Sequence, residues 1–250
     1  MYGAKVWFGM VCGALLGAAV SAHPAAAIEW DLDGSSSAQS QLTFDAVGTA
    51  TEDIKVRGYF TSNVNGTGDF DTGLVQIWSG GVGVLASDDS GSPQHSVDNN
   101  GKDNFLLIEF DDPNYLLTAF QIGWYQSDAD IEVWVGGGDL GDGFTLEDSG
   151  GLCTNACDYS DLSALGFTKV TPVFQNVVVG SWVTVNTDVT GQYVIFAGEY
   201  GEYDDYFKLA GIRGQEEIEV PEPGSMLILS SALAMLGAGA LRRRWRRPAA

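Results

Sequence analysis

The sequence predicts an all-β protein, an antiparallel two-sheet sandwich of jelly-roll type. Three observations predict it. Nearly every apolar run either alternates with period two or is short and rich in β-branched and aromatic residues. The runs are bounded by Gly, Asp, Asn or Ser, and the chain carries 33 glycines to make the turns. Between its two ends only residues 161–165 read as helix, and they suffice for a single turn. Short strands at this spacing are the pattern of antiparallel two-sheet folds.

In chain order the expected strands are 28–33, 41–47, 54–61, 74–78, 82–86, 105–110, 115–124, 131–135, 170–179, 182–186, 193–197 and 206–212. In one of them Ile131, Val133 and Val135 alternate with Asp130, Glu132 and Trp134. That alternation predicts one face in the core and one in water. No Pro- or Ser-rich linker divides residues 28–214, and no repeat of solenoid period is present, so they read as one extracytoplasmic domain.

The ends are of a different kind. Residues 1–27 have the form of a secretory signal peptide: Lys5, an apolar run from Val6 to Val20, then small residues. Val20-Ser21-Ala22 and Ala25-Ala26-Ala27 both fit the small-x-small cleavage pattern. The second is preferred, because Ile28-Glu29-Trp30-Asp31 already reads as a strand.

At the other end, residues 215–224 form a linker that contains Val220-Pro221-Glu222-Pro223. Residues 225–241 carry no charge, and the tail 242–250 opens with Arg242-Arg243-Arg244-Trp245-Arg246-Arg247. At 1.5 Å per residue the uncharged stretch is near the short end of a transmembrane helix. Arginine at a bilayer centre costs about 2.5–3.5 kcal/mol, so the span must stop where the arginines begin. By the positive-inside rule Arg242, Arg243, Arg244, Arg246 and Arg247 fix that end in the cytoplasm and the rest of the chain outside it. Pro221 and Pro223 hold the backbone extended, so the helix cannot continue backwards. On spacing alone, a plain C-terminal anchor and a processed sorting tail both fit.

Removing both ends leaves Lys55, Arg57, Lys102, Lys169, Lys208 and Arg213 as the basic residues, set against most of the 33 acidic ones. The domain is therefore more acidic than the chain's net charge of −21. Such a surface repels nucleic acid and anionic lipid and attracts divalent cations. The aromatic and apolar content is too high for disorder. Cys12 leaves with the signal peptide, and Cys153 and Cys157 remain as an even pair in a secreted chain, which predicts one short disulfide loop. With no further thiolates or histidines nearby, a zinc site is not expected there.

The order Pro-Glu-Pro, short apolar span and terminal arginine cluster resembles the PEP-CTERM sorting signal of Gram-negative bacteria. The resemblance implies export across the inner membrane and transient membrane insertion through the tail. It also implies cleavage near Pro221-Glu222-Pro223 by an exosortase, a membrane-embedded cysteine protease or transpeptidase. Delivery would be to the cell surface or the exopolysaccharide matrix of a biofilm. A second resemblance lies in Val82-Gly83-Val84, Ser92 to Gly101, Ile122-Gly123-Trp124 and Asp128-Ala129-Asp130-Ile131. These are similar to a group of exosortase-dependent surface proteins that carry the same tail, and they imply no catalytic residues.

Within the domain, residues 88–103 are the most polar stretch. Asp98, Asn100 and Asp103, with Asp128 and Asp130 from a turn across the sheet, offer the oxygen ligands that Ca²⁺ takes. The spacing is not that of an EF-hand, and an Asx-rich turn explains the same residues without metal. Asp69-Phe70-Asp71 and Asp139 with Asp142 carry the same ambiguity. His95 is the one histidine downstream of the expected signal cut. It is expected to be a loop residue bonded to backbone, and its neighbours Ser92 and Ser96 do not make a triad. Acid pairs such as Asp111-Asp112 and Asp204-Asp205 are expected by chance in so acidic a chain, so glycoside hydrolysis is the weakest reading. Tyr200, Tyr203 and Tyr206 lie among carboxylates. They either stack sugars, as in a carbohydrate-binding module, or cap the core with their hydroxyls in water. The expectation is thus a non-catalytic protein without a cofactor, apart from a possible structural Ca²⁺. Its expected partners are an exosortase, the membrane and extracellular polysaccharide.

Overall fold

Alternating apolar residues and glycine-bounded turns form antiparallel strands, and the strands fix everything else. The structure, a computed structural model, describes residues 27–48, 50–64, 68–87, 95–137, 140–147 and 157–216. Residues 1–26 of the expected signal peptide, Cys153, the Pro-Glu-Pro motif, the apolar stretch and the terminal arginines all lie outside the described residues. The described part is all-β. The first strands are β1 (Ile28–Asp31), β2 (Leu42–Asp45), β3 (Asp53–Thr61), β4 (Phe70–Trp78) and β5 (Gly81–Leu85). Then come β6 (Val97–Asp98), β7 (Asn104–Phe110), β8 (Tyr115–Tyr125), β9 (Ile131–Gly136) and β10 (Thr168–Lys169). The last are β11 (Val183–Thr184), β12 (Thr190–Gly191), β13 (Tyr193–Gly198) and β14 (Tyr206–Glu216).

The strands form one hydrogen-bonded path, β10-β9-β13-β7-β3-β4-β5-β14-β8-β11. β1 and β6 lie on β14, β2 on β3, and β12 on β8. All of these pairings are antiparallel. The sheet curls at β4. Its first half, Phe70 to Gly73, pairs with β3, and its second half, Leu74 to Trp78, pairs with β5. At the changeover Gly58 and Gly73 face each other. A Cβ on Gly73 would stand 2.8 Å from Val84 Cγ1, and one on Gly58 would stand 3.0 Å from both Val75 and Val84. The bend thus needs two residues without side chains where the two limbs turn towards each other.

The inner faces of the limbs share one core. Phe120 of β8 meets Phe196 of β13 edge-on at 5.3 Å, and Trp30 of β1 lies 5.4 Å from Phe110 of β7. Around them Ile54, Val56, Leu106, Ile108, Val133, Leu209 and Ile212 are fully or almost fully buried. Each such side chain contributes about 1.5–3 kcal/mol by leaving water.

The limb built from β3, β7, β13 and β9 is also covered on its outer face. Phe144, Leu146, Cys157, Leu162, Leu165 and Phe167 pack there against Tyr59, Phe105, Leu107, Tyr193 and Ile195. β7 and β13 are consequently buried along their whole length. This corrects the expected wet face of β9. Glu132 is buried and paired with Lys169, while Trp134 packs against the outer cluster. The alternation marks two different neighbours, not core and water.

Two further expectations are corrected. Residues 170–179 do not form a strand: Pro172 offers no N–H, and only Phe174 makes a bridge, to Ile131. Residues 161–165 form turns with one helical bond, Leu165 N to Asp161 O at 3.0 Å, and no α-helix is present among the described residues. β14 runs past the expected 206–212 to Glu216, held by β8 on one side and by β6, β5 and β1 on the other.

Candidate functional site

One end of the sheet gathers the acidic turns. β14 begins there, next to the β8–β9 turn and the loop that leaves β13. Backbone bonds tie these segments together: Asp128 N to Asp204 O at 3.3 Å, Tyr206 N to Asp128 O at 3.1 Å, and Glu199 N to Asp130 O at 3.0 Å. Ser127, with φ of 63°, turns the chain between β8 and β9.

Asp205 is the centre of this rim. It is 0% exposed, and its carboxylate accepts hydrogen bonds from Asp130 N at 2.7 Å, Asn99 Nδ2 at 2.6 Å and Glu199 N at 3.1 Å. In return Asp205 N donates to Asn99 Oδ1 at 3.0 Å. No cation pairs with Asp205 among the described residues. Burial therefore pushes its pKa up to about 6, and the charge of Asp130 adds to the rise against the hydrogen bonds that oppose it.

Around it, oxygens of Asp128, Asp130 and Asp205 lie within 4.8 Å of one another, and so do oxygens of Asp130, Glu199 and Glu202. Asp130 Oδ1 accepts from Asn176 N at 2.6 Å, and Asp128 Oδ1 from Ala129 N at 2.7 Å. Glu199 Oε2 is buried without a hydrogen-bond partner. The donor set is all oxygen and all anionic, which suits Ca²⁺ rather than a transition metal.

Of the five residues expected to bind calcium, Asp128 and Asp130 come together here. Asp98 and Asp103 belong to neither group. Asp98 accepts bonds from Ser96 Oγ, Asn104 Nδ2 and Asn100 N, so it organises its own turn. Asn100 donates to the hydroxyl of Tyr206, and Asp103 donates its N–H to Thr61 Oγ1 at 3.0 Å. Asp205 and Glu199 were not expected. Their segment reads as an aromatic–acid run, and only the pairing of β13 with β9 and of β14 with β8 carries it to Asp130. Tyr206 is buried, as a capping tyrosine would be, but Tyr200 and Tyr203 are each 53% exposed on the same rim.

A second buried carboxylate lies on the covered limb. Glu109, 1% exposed, pairs with Lys55 Nζ at 2.7 Å and Arg57 Nη1 at 2.8 Å, and accepts from Gly143 N at 3.1 Å. Burial alone would raise its pKa. The lysine, the Gly143 amide and the arginine outweigh that and lower it. Tyr193 O–H donates to Gly141 O at 2.5 Å and accepts from Phe144 N at 3.1 Å, which pins the same loop.

His95 departs from its expected role. It does not bond backbone through Nδ1, which is buried without a partner. Its ring stacks on Trp78 at 4.1 Å and 8°. Ser92 lies outside the described residues. Cys157 is fully buried and disulfide-bonded. Among the described residues no helix is long and apolar enough to cross a membrane. No family model, curated protein or solved structure matches the chain.

Proposed function

We propose that this chain is a non-catalytic protein of the cell surface or exopolysaccharide matrix. It is exported through its signal peptide, inserted transiently by its tail and cut near Pro221-Glu222-Pro223 by an exosortase. The observation that carries the reading is the three-part tail of Pro-Glu-Pro, an uncharged stretch and Arg242 to Arg247. In this reading the β domain is cargo, and the two limbs of its curled sheet are a sandwich of jelly-roll type. The Phe120–Phe196 contact between limbs supports that description. The deciding experiment is the intact mass of the protein from its native host, with and without the exosortase. Loss of about the last 27–30 residues only when the enzyme is present supports the reading, since a span of this kind needs roughly 17–25 residues. An intact arginine tail in both strains makes the chain an ordinary tail-anchored protein.

A second reading, carbohydrate binding with structural Ca²⁺, is favoured by the rim. Tyr200 and Tyr203 stand exposed beside Glu202, and Glu199 Oε2 is buried without a partner next to Asp130. Saturable retention on a polysaccharide that EDTA abolishes would support it; retention unchanged by EDTA would remove the metal from it.

A further inference from the structure

The outer face of the other limb carries a feature that neither reading uses. Lys208 of β14 and Trp124 of β8 are register partners and so share a face. Lys208 Nζ lies 4.9 Å from the Trp124 ring centre and 5.2 Å from that of Trp78, at the end of β4. The strand between them, β5, supplies Gly81 and Gly83 there, and the backbone of His95 lies over Gly83. The β4–β5 turn also comes down on β8: a Cβ on Gly80 would stand 2.7 Å from Trp124 Cβ. The result is a half-exposed floor of two indoles with an ammonium between them. The His95 ring stacks on Trp78.

The ammonium is out of character for this molecule. Lys55, Arg57, Lys169 and Arg213 are each paired with a carboxylate. Lys208 has no carboxylate partner among the described residues, and burial alone lowers its pKa. Among the described residues this lysine is set between apolar rings and not against a carboxylate. The matching ligand has an anionic group for the lysine and flat C–H faces for the indoles. It must also be extended, because it has to reach both indoles and the lysine between them. A carboxylated pyranose polymer has all three properties.

We propose that Trp78, Lys208 and Trp124 form a binding face for an acidic, uronate-type polysaccharide, distinct from the acidic rim. The proposal rests on the reading of the chain as a matrix protein and names the polymer class it would hold. Binding is measured with the full chain in detergent, by affinity electrophoresis and tryptophan fluorescence, against polygalacturonate and its methyl ester. EDTA keeps rim cations out. Salt of 0.15 M shortens the Debye length to about 8 Å and so screens the remaining carboxylates.

The expected result is retention by polygalacturonate about tenfold stronger than by the neutral ester, a difference of the size a charge-assisted hydrogen bond makes. Lys208→Gln is expected to level the two polymers, Lys208→Arg to keep the preference, and Trp124→Leu to weaken both. Equal binding of acid and ester by the wild type would overturn the proposal. So would binding that survives Lys208→Gln and Trp124→Leu but is lost in Tyr200→Ala/Tyr203→Ala. Binding of neither polymer also overturns it, while the intact-mass experiment judges the sorting reading separately.

Discussion

Glu109 and Asp205 are both buried carboxylates on a curled β-sheet, and they are held in opposite ways. Glu109 has two cations, and its pKa is lowered. Asp205 has only N–H donors and acidic neighbours, and its pKa is raised to about 6. Hydrogen bonds alone satisfy the geometry of a buried carboxylate without cancelling its charge. One region is thus electrostatically closed, and the other is left with a charge deficit that a proton or a cation can fill.

The largest expected effect breaks the closed region. Glu109→Gln leaves Lys55 and Arg57 facing a neutral amide and is expected to cost about 3–5 kcal/mol in urea unfolding, the range for breaking a buried pair. A cost under 1 kcal/mol would mean that the pair is solvated. Next, Asp205→Ala orphans the Asp130 amide and the Asn99 side chain but also removes repulsion with Asp130. The expected loss is smaller, about 2–3 kcal/mol. If it proved the costlier of the two, the contrast drawn above would be wrong.

Acidification should separate the two without mutation. Asp205 has a folded pKa above its unfolded value of 3.8, so its penalty is complete above about pH 6 and relieved as pH falls towards 4. Glu109 is the reverse: its stabilisation is complete above its ordinary value of 4.5 and lost as pH falls through the lower folded value. Stability is therefore expected to rise by up to about 2 kcal/mol from pH 7 to pH 5, then fall. Asp205→Ala should remove the rise while keeping the fall, as read from urea midpoints across pH. The smallest effect concerns calcium. Millimolar CaCl₂ should add about 1–2 kcal/mol at pH 7 through the rim and nothing to Asp130→Asn. An equal gain in both proteins would place the ion elsewhere.

Strand positions were legible in the sequence wherever a short β-rich apolar run was bounded by polar residues or glycine, as at residues 105–110 and 193–197. What faces each side was not legible. Glu132 alternates like a solvent residue, yet Lys169 and the Tyr200 amide, brought in from later in the chain, pair with it. The same blindness applies to the rim. Asp128 and Asp130 stand out because they share a turn, whereas Asp205 and Asn99 are over a hundred residues apart and meet only because β6 pairs with the start of β14. Phe70 to Gly73 was missed as strand because Asp71, Thr72 and Gly73 carry no apolar signal; their role is to turn the sheet.

β14 also has a mechanical consequence. It starts at the rim with Tyr206 and ends at Glu216, where the chain continues towards its tail, ten residues later and about 33 Å away at 3.3 Å per residue. Neighbouring strands line both of its sides. A pull on Glu216 against a hold at the rim would run along the strand, loading its ladder bonds together in shear rather than peeling them one by one. A tether attached at that end would draw on the strongest direction the sheet has.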